Sequence, residues 1–305
     1  MGTPPAPKAP YHPGELEVQR RAGLAEDAQN LVGMVQDRLS ARAAAMLAQQ
    51  TMAVATSLDA AGRPWASLLT GPAGFIQPLD ASLLLLAGTP PAHDPLATNL
   101  AVRHELGLLV IDLAHRRRLR FNGRGVLDAR GILLTIEQAY GNCPKYIQSR
   151  RIDSKPYASA ATPEQHRSHA LTEPQTALIA AADTFFIGSV HPHAGPDASH
   201  RGGRPGFVRV LDDRTIEFPD YAGNTMFNTL GNLVVEPRLG LLFLDFDTGD
   251  TLQITGAASL DWDPAAVARH RGAEHLVVRV GVDEVLETRG AGITGRLLAY
   301  SPVNP

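Results

Sequence analysis

Residues 199–204 read Ser-His-Arg-Gly-Gly-Arg, placing the imidazole of His200 and the guanidinium of Arg201 beside Gly202 and Gly203. Cationic side chains next to glycines let an anion approach the backbone closely. A solvated hairpin loop is the ordinary alternative. Residues 221–228 read Tyr-Ala-Gly-Asn-Thr-Met-Phe-Asn, with Asn224, Thr225 and Asn228 clustered after Gly223 at an expected helix start. Free N–H groups there, with amide and hydroxyl donors, make a phosphate site; simple N-capping by Asn224 is the competing use. A third run, His115-Arg-Arg-Arg-Leu-Arg-Phe-Asn122, enters an expected strand. A period of two puts Arg118, Arg120 and Asn122 on one face and Leu119 and Phe121 on the other. Those arginines either pair a phosphate bidentately or flank a solvated turn. The only lysines are Lys8, Lys145 and Lys155, so Lys145 and its neighbour Tyr146 stand out in the segment Tyr140-Gly-Asn-Cys-Pro-Lys-Tyr146.

These residues are set within a doubled chain. Residues 66–80 and 198–212 agree at 7 of 15 positions at a spacing of 132, and residues 99–112 and 232–245 agree at 8 of 14 at a spacing of 133. The repeat runs from about 40–127 to about 172–260, and each copy opens with a helix behind Ser40 or Thr172, the latter with Gln175 completing a capping box. Each copy then reads as short strands separated by glycine turns, with a short helix between the third and fourth. The expected strands are 52–58, 65–70, 83–87, 106–113 and 119–127, then 184–190, 198–210, 215–218, 239–246 and 251–260. A further strand follows each unit, at 132–136 and 276–282. This predicts a mainly β protein with flanking helices, two tandem barrels forming an intrachain pseudo-dimer. The expected divisions are 1–39 (tail and helices), 40–150 (first unit), 151–171 (linker), 172–290 (second unit) and 291–305 (tail). Residues 1–14 are Pro-rich and expected to be unordered, and 15–50 read as helix weakened at Gly23 and Gly33.

A two-fold arrangement has two equivalent grooves, and duplication lets them diverge. His200–Arg204 in the second copy corresponds to Leu68-Leu69-Thr70-Gly71-Pro72 in the first, while Arg118, Arg120 and Asn122 correspond to Thr251, Gln253 and Thr255. One polar groove and one filled groove are therefore expected.

Composition sets limits. The formal net charge is -3 and aromatics are 6%, which argues against nucleic acid and against an anionic membrane as partners. Cys143 is the only cysteine, so no intrachain disulfide or Cys-rich metal site is available, and it reads as a buried inert thiol. His191-Pro-His193 with His200 is read as solvated histidines, with no metal site expected. Asp245 and Asp247 beside Gly249-Asp250 read as a hairpin turn. No phosphate-binding P-loop, dinucleotide fingerprint, nucleophile elbow or zinc-protease motif occurs. The N-terminus lacks an apolar signal region and no apolar run approaches membrane-helix length, so a cytoplasmic location is expected.

Taken together, GRPWASLL (62–69), YGNCPKYIQ (140–148), SHRGGRPGFVRVLDD (199–213), FPDYAGN (218–224) and LFLDFDTGDTLQITG (242–256) resemble the pyridoxamine 5′-phosphate oxidase-like flavin split-barrel superfamily. They resemble most its flavin-nucleotide-binding branch with two units in one chain. The resemblance implies two split β-barrels with FMN at their interface, its phosphate near Arg201 and Asn224–Asn228. The better-known oxidases carry an Arg-Lys pair at that helix start. This chain has Asn228-Thr229 or Thr225-Met226 there, leaving Arg118, Arg120 or Lys145 to supply the charge. His200 or Tyr221 is expected near the ring, with Lys145 and Tyr146 closing the groove. The implied function is a flavin-dependent oxidoreductase acting on an unknown small substrate; a flavin carrier or a haem-handling protein is the alternative, and a homodimer stays open. No acid or base for a substrate is named by the residues.

Overall fold

The computed structural model describes residues 11–153, 163–290 and 292–305. The first copy of the repeat forms β1 (Met52–Leu58), β2 (Pro64–Thr70), β3 (Ile76–Pro78), β4 (Leu83–Ala87), β5 (Glu105–Asp112), β6 (Arg117–Asp128) and β7 (Gly131–Gly141). After β8 (Ser149–Asp153) and β9 (Gln165–Ser168), the second copy forms β10 (Thr184–His191), β11 (Gly195–Gly202), β12 (Arg209–Asp212), β13 (Thr215–Pro219), β14 (Arg238–Leu244), β15 (Thr251–Asp261) and β16 (Val277–Thr288), and β17 (Thr294–Ala299) ends the chain. The two large sheets have the same antiparallel order, β2-β1-β5-β6-β7-β4-β3 and β11-β10-β14-β15-β16-β13-β12. The expected strand 198–210 is two strands, broken where Phe207 folds back against Gly203.

The helices are α1 (Pro13–Arg21), α2 (Ala25–Gln29), α3 (Ala41–Leu47), α4 (Pro95–Val102), α5 (Glu173–Ala181), α6 (Asn228–Val235) and α7 (Pro264–Ala268). Ser40 caps α3, and Thr172 with Gln175 forms the capping box of α5. The expected helix 15–50 is three short pieces plus a 3-10 turn at Val32–Met34, broken at Gly23, whose φ is 72°. Residues 1–10 lie outside the described residues, but Tyr11–Gly14 is packed: Tyr11 is buried and donates to the Ala28 carbonyl, and His12 caps α1. Within the expected linker, residues 154–162 lie outside the described residues. Its flanks are strands, β8 on β17 and β9 on β16.

The central strands are apolar on both faces because both faces are covered. Leu106, Leu108 and Val110 of β5 enter the first copy's own core, whereas Leu109 and Ile111 enter a third cluster shared with Phe186, Leu242 and Leu244 of the second copy. In β10, Phe185 and Ile187 enter the second copy's core while Phe186 points to that shared seam. Equivalent residues make equivalent contacts across the seam. A side chain on Gly107 would press on Pro196, and one on Gly240 on Pro64, each at 2.7 Å. Thr56 touches its own counterpart, Gly188. Like faces like there, so the copies pack about a common line.

Candidate functional site

β6 carries the first half of the site. Leu119 and Phe121 pack with the core, which turns Arg118, Arg120 and Asn122 toward β11 of the other copy. Arg118 Nη1 donates to His200 Nδ1 (3.0 Å), Arg120 Nη2 to Ser199 Oγ, and Asn122 Nδ2 to Asp197 Oδ1 (2.6 Å). Arg120 Nη1 also reaches Asn228 Oδ1 (3.2 Å) and the Tyr140 hydroxyl (3.4 Å).

The segment after β7 crosses to the loop after β13. Tyr146 Oη and Lys145 Nζ both donate to the Ala222 carbonyl, at 3.1 and 3.4 Å, and the Tyr146 ring lies 5.1 Å from that of Tyr221. Behind it the Tyr146 carbonyl fits against Gly202, where any side chain would collide with it. A cavity of about 70 Å³ is thereby enclosed by Arg118, Arg120, Asn142, Cys143, Lys145, Tyr146, His200, Arg201, Gly202, Tyr221 and Asn224, among others. A second cavity of about 300 Å³, lined by Met46, Leu119 and Pro144, shares Arg118 and Asn142 as a common wall.

The first cavity is short of negative charge. Among the described residues, Arg118 and Arg201 have no carboxylate at ion-pair distance, and Arg118 Nε, Arg201 Nε and His200 Nε2 are buried without a hydrogen-bond partner. Burial, then the nearby Arg120 and Arg201, pushes Arg118 down to about 9. Burial lowers Arg201 as well, opposed by Asp220, whose own carboxyl burial raises to about 6. Burial, with Arg118 and Arg201 beside it, holds His200 well below its usual value, so the ring is neutral. Because Nδ1 accepts from Arg118, the proton sits on Nε2, a donor with nothing to donate to. Leaving a buried cation unpaired costs on the order of several kcal/mol. Donors of this kind are complementary in charge to a small anion.

Most of the residues singled out in the sequence line this cavity, but three stand elsewhere. Gly203 makes room for the Phe207 ring and not for a ligand. Thr225 and Asn228 do not line the cavity, because α6 starts only at Asn228, behind Phe227 in a left-handed conformation (φ 58°). Asn224 lines it but does not cap the helix; its Oδ1 accepts from Met226 N (3.3 Å) in a turn. Asn228 is occupied by Glu15 and Arg120. Arg204 points away, 4.8 Å from the centre of the Tyr300 ring. His200 is separated from His191 and His193, which line other cavities, and among the described residues no group of three His, Cys, Asp or Glu is placed to hold a metal ion. Missed altogether were Asp220 and the buried layer Ser199–Tyr140–Asp197 behind Arg120. No described helix is long and apolar enough to cross a membrane.

Comparison with known proteins places these observations. Residues 171–286 match the family model described as pyridoxamine 5′-phosphate oxidase. No curated protein matches the chain. Similar solved structures include a candidate pyridoxamine 5′-phosphate oxidase of Lactobacillus delbrueckii, 19% identical, covering 39% of this chain and 94% of that one, with a TM-score of 0.33. The haem storage protein HutZ of Vibrio cholerae is 13% identical, with 40% and 97% covered and a TM-score of 0.31. A FAD-binding protein of Mesorhizobium loti is 10% identical, with 42% and 98% covered and a TM-score of 0.31. The second copy of the repeat, residues 171–286, is thus the part of the chain that is similar to the pyridoxamine 5′-phosphate oxidase family.

Proposed function

We propose that the chain is a doubled split barrel, with units at 40–150 and 172–290, that binds FMN between them and works as a flavin-dependent oxidoreductase. The observation that carries this is the cavity lined by Arg118, Arg201 and His200, each of which has a buried nitrogen without a hydrogen-bond partner. Its volume suits a phosphate and not a tricyclic ring, whereas the adjoining cavity of about 300 Å³ is at the lower end of ligand-pocket size. Arg118, Arg201 and the His200 Nε2–H hold the phosphate, with Lys145 and Asn224 within the same enclosure. Tyr146 and Tyr221 close it off from water, which strengthens each charged contact. When bound, the isoalloxazine supplies the electron-transfer chemistry. Haem is the rival ligand, through His200 Nε2; Arg118 on the Nδ1 side of the ring and Arg201 in the same cavity lining favour an anionic group instead.

Titration with FMN and with riboflavin, followed by flavin fluorescence, tests the phosphate assignment. FMN is expected to bind roughly tenfold tighter or more. Equal affinities overturn it. The purified protein is expected to absorb near about 450 nm, and NAD(P)H consumption with FMN loaded separates an oxidoreductase from a carrier.

A further inference from the structure

On the far side of the Arg120–Tyr140–Asp197 layer lies a separate cavity of about 280 Å³, walled by the N-terminal segment, β6, β7 and the turn between β10 and β11. Its chemistry is the reverse of the phosphate cavity. Glu15, Glu137 and Asp197 line it, and no lysine or arginine does. Asn122 is 4% exposed, and its Oδ1 has no partner. That orientation of the amide is forced, since Asn122 Nδ2 donates to two acceptors, Gln138 Oε1 (3.0 Å) and Asp197 Oδ1 (2.6 Å). The wall therefore offers a buried acceptor that no described residue satisfies.

The rest of the wall is flat. The His12 and His191 rings stack at 4.1 Å, and His193 meets His191 edge-on at 6.0 Å. His12 is held neutral by burial, and its ring nitrogens are used by Gly14 N and Asn232 Oδ1. Its outer face is thus a platform without charge of its own.

We propose that this cavity is a second ligand site, for a small flat organic cation carrying N–H donors, of the amidinium or guanidinium type. Glu137 and Asp197 balance its charge, Asn122 Oδ1 accepts one of its N–H groups, and the stacked imidazoles take its plane. The site does not depend on the flavin reading.

Benzamidine is the probe, with benzamide as its neutral analogue and benzoate as its anionic one. Binding is read from the ring proton resonances of His12, His191 and His193, assigned by single His→Gln variants. Benzamidine is expected to shift them saturably, and benzamide and benzoate are not. Ala194→Trp, on the exposed-side turn of the wall, fills the cavity without removing a polar partner. It is expected to weaken benzamidine binding roughly tenfold or more while FMN affinity is unchanged. Asp197→Asn is expected to weaken it too. Absence of a saturable shift, equal binding of benzoate, or full retention of binding in Ala194→Trp overturns the proposal. Failure of FMN to bind, with benzamidine still binding, would count against the flavin reading alone.

Discussion

Arg201 is half-buried and Glu15 buried, and substitution separates their roles. Arg201 makes no hydrogen bond or ion pair to the described residues, so the fold gains from its charge only the longer-range attraction to Asp220. Arg201→Ala is expected to leave unfolding stability unchanged or slightly raised in urea, while FMN affinity falls by about 1.5–3 kcal/mol, the worth of charged hydrogen bonds. A variant that loses stability and keeps its affinity would make Arg201 structural. Glu15, 4% exposed, is raised to about 8, by burial first and by Asp197 as well. Between its ordinary value and 8 the folded chain keeps a proton that the unfolded chain has lost, so stability falls as pH rises through that window. His12 acts in the other direction lower down: burial depresses it to about 4, and its contribution grows with pH until its ordinary value near 6.5 is passed. From there to pH 8 Glu15 is the member of this pair still titrating, with a slope of about 1.4 kcal/mol per pH unit at most. Glu15→Gln is expected to flatten that fall in denaturant titrations across the same window; an unchanged slope would assign it to another group.

At the scale of elements, α1 is what brings Glu15 to the site. It crosses α6 at a pair of glycines: a side chain on Gly14 would strike the Gly231 carbonyl, and one on Gly231 would lie 2.5 Å from Glu15 Cγ. Glu15 then accepts from Asn228, and Asn228 accepts from Arg120 in the phosphate cavity. Gly231→Ala is expected to cost about 1–3 kcal/mol of stability by overpacking, and to weaken FMN binding because Arg120 loses its outer support. A stability loss with intact affinity would uncouple α1 from the cavity. None of this chain of contacts is legible in the sequence, since Glu15 and Asn228 lie 213 residues apart and no pattern links the two. What was legible was local or repeated. The alternation in Arg118–Asn122 fixes which side chains leave the core, and the doubled segments fix where the second sheet repeats the first. The start of α6 was misplaced because Asn224 makes a turn that looks like a cap, while the residue in the cap position is Phe227, which no capping preference selects.

At the scale of the whole molecule, the two grooves flanking the seam have become unlike. Where β6 offers Arg120 to Ser199 and Asn228, β15 offers Gln253, 133 residues on, to the equivalent Ser67 and to Asp94 at the head of α4. Gln253 Nε2 donates to the Ala66 carbonyl at 2.9 Å and to Asp94 Oδ2 at 3.1 Å. Asp94 also accepts from Leu96 N and its carboxyl is raised to about 6 by burial, so this groove opposes an anion with a carboxylate of its own. Leu68, the counterpart of His200, packs in the apolar cluster of the seam together with Ile293. The polar groove costs buried cations and the apolar one contributes packing, so the asymmetry would let a single chain hold the proposed ligand and still cohere along the seam. One FMN per chain is therefore expected by titration and by native mass spectrometry. Gln253→Arg alone is not expected to create a second site, because the new guanidinium would meet Asp94 directly and Leu68 would still occupy the floor. Two FMN per wild-type chain would mean that the apolar groove opens in solution, and the argument from its filled state would fail.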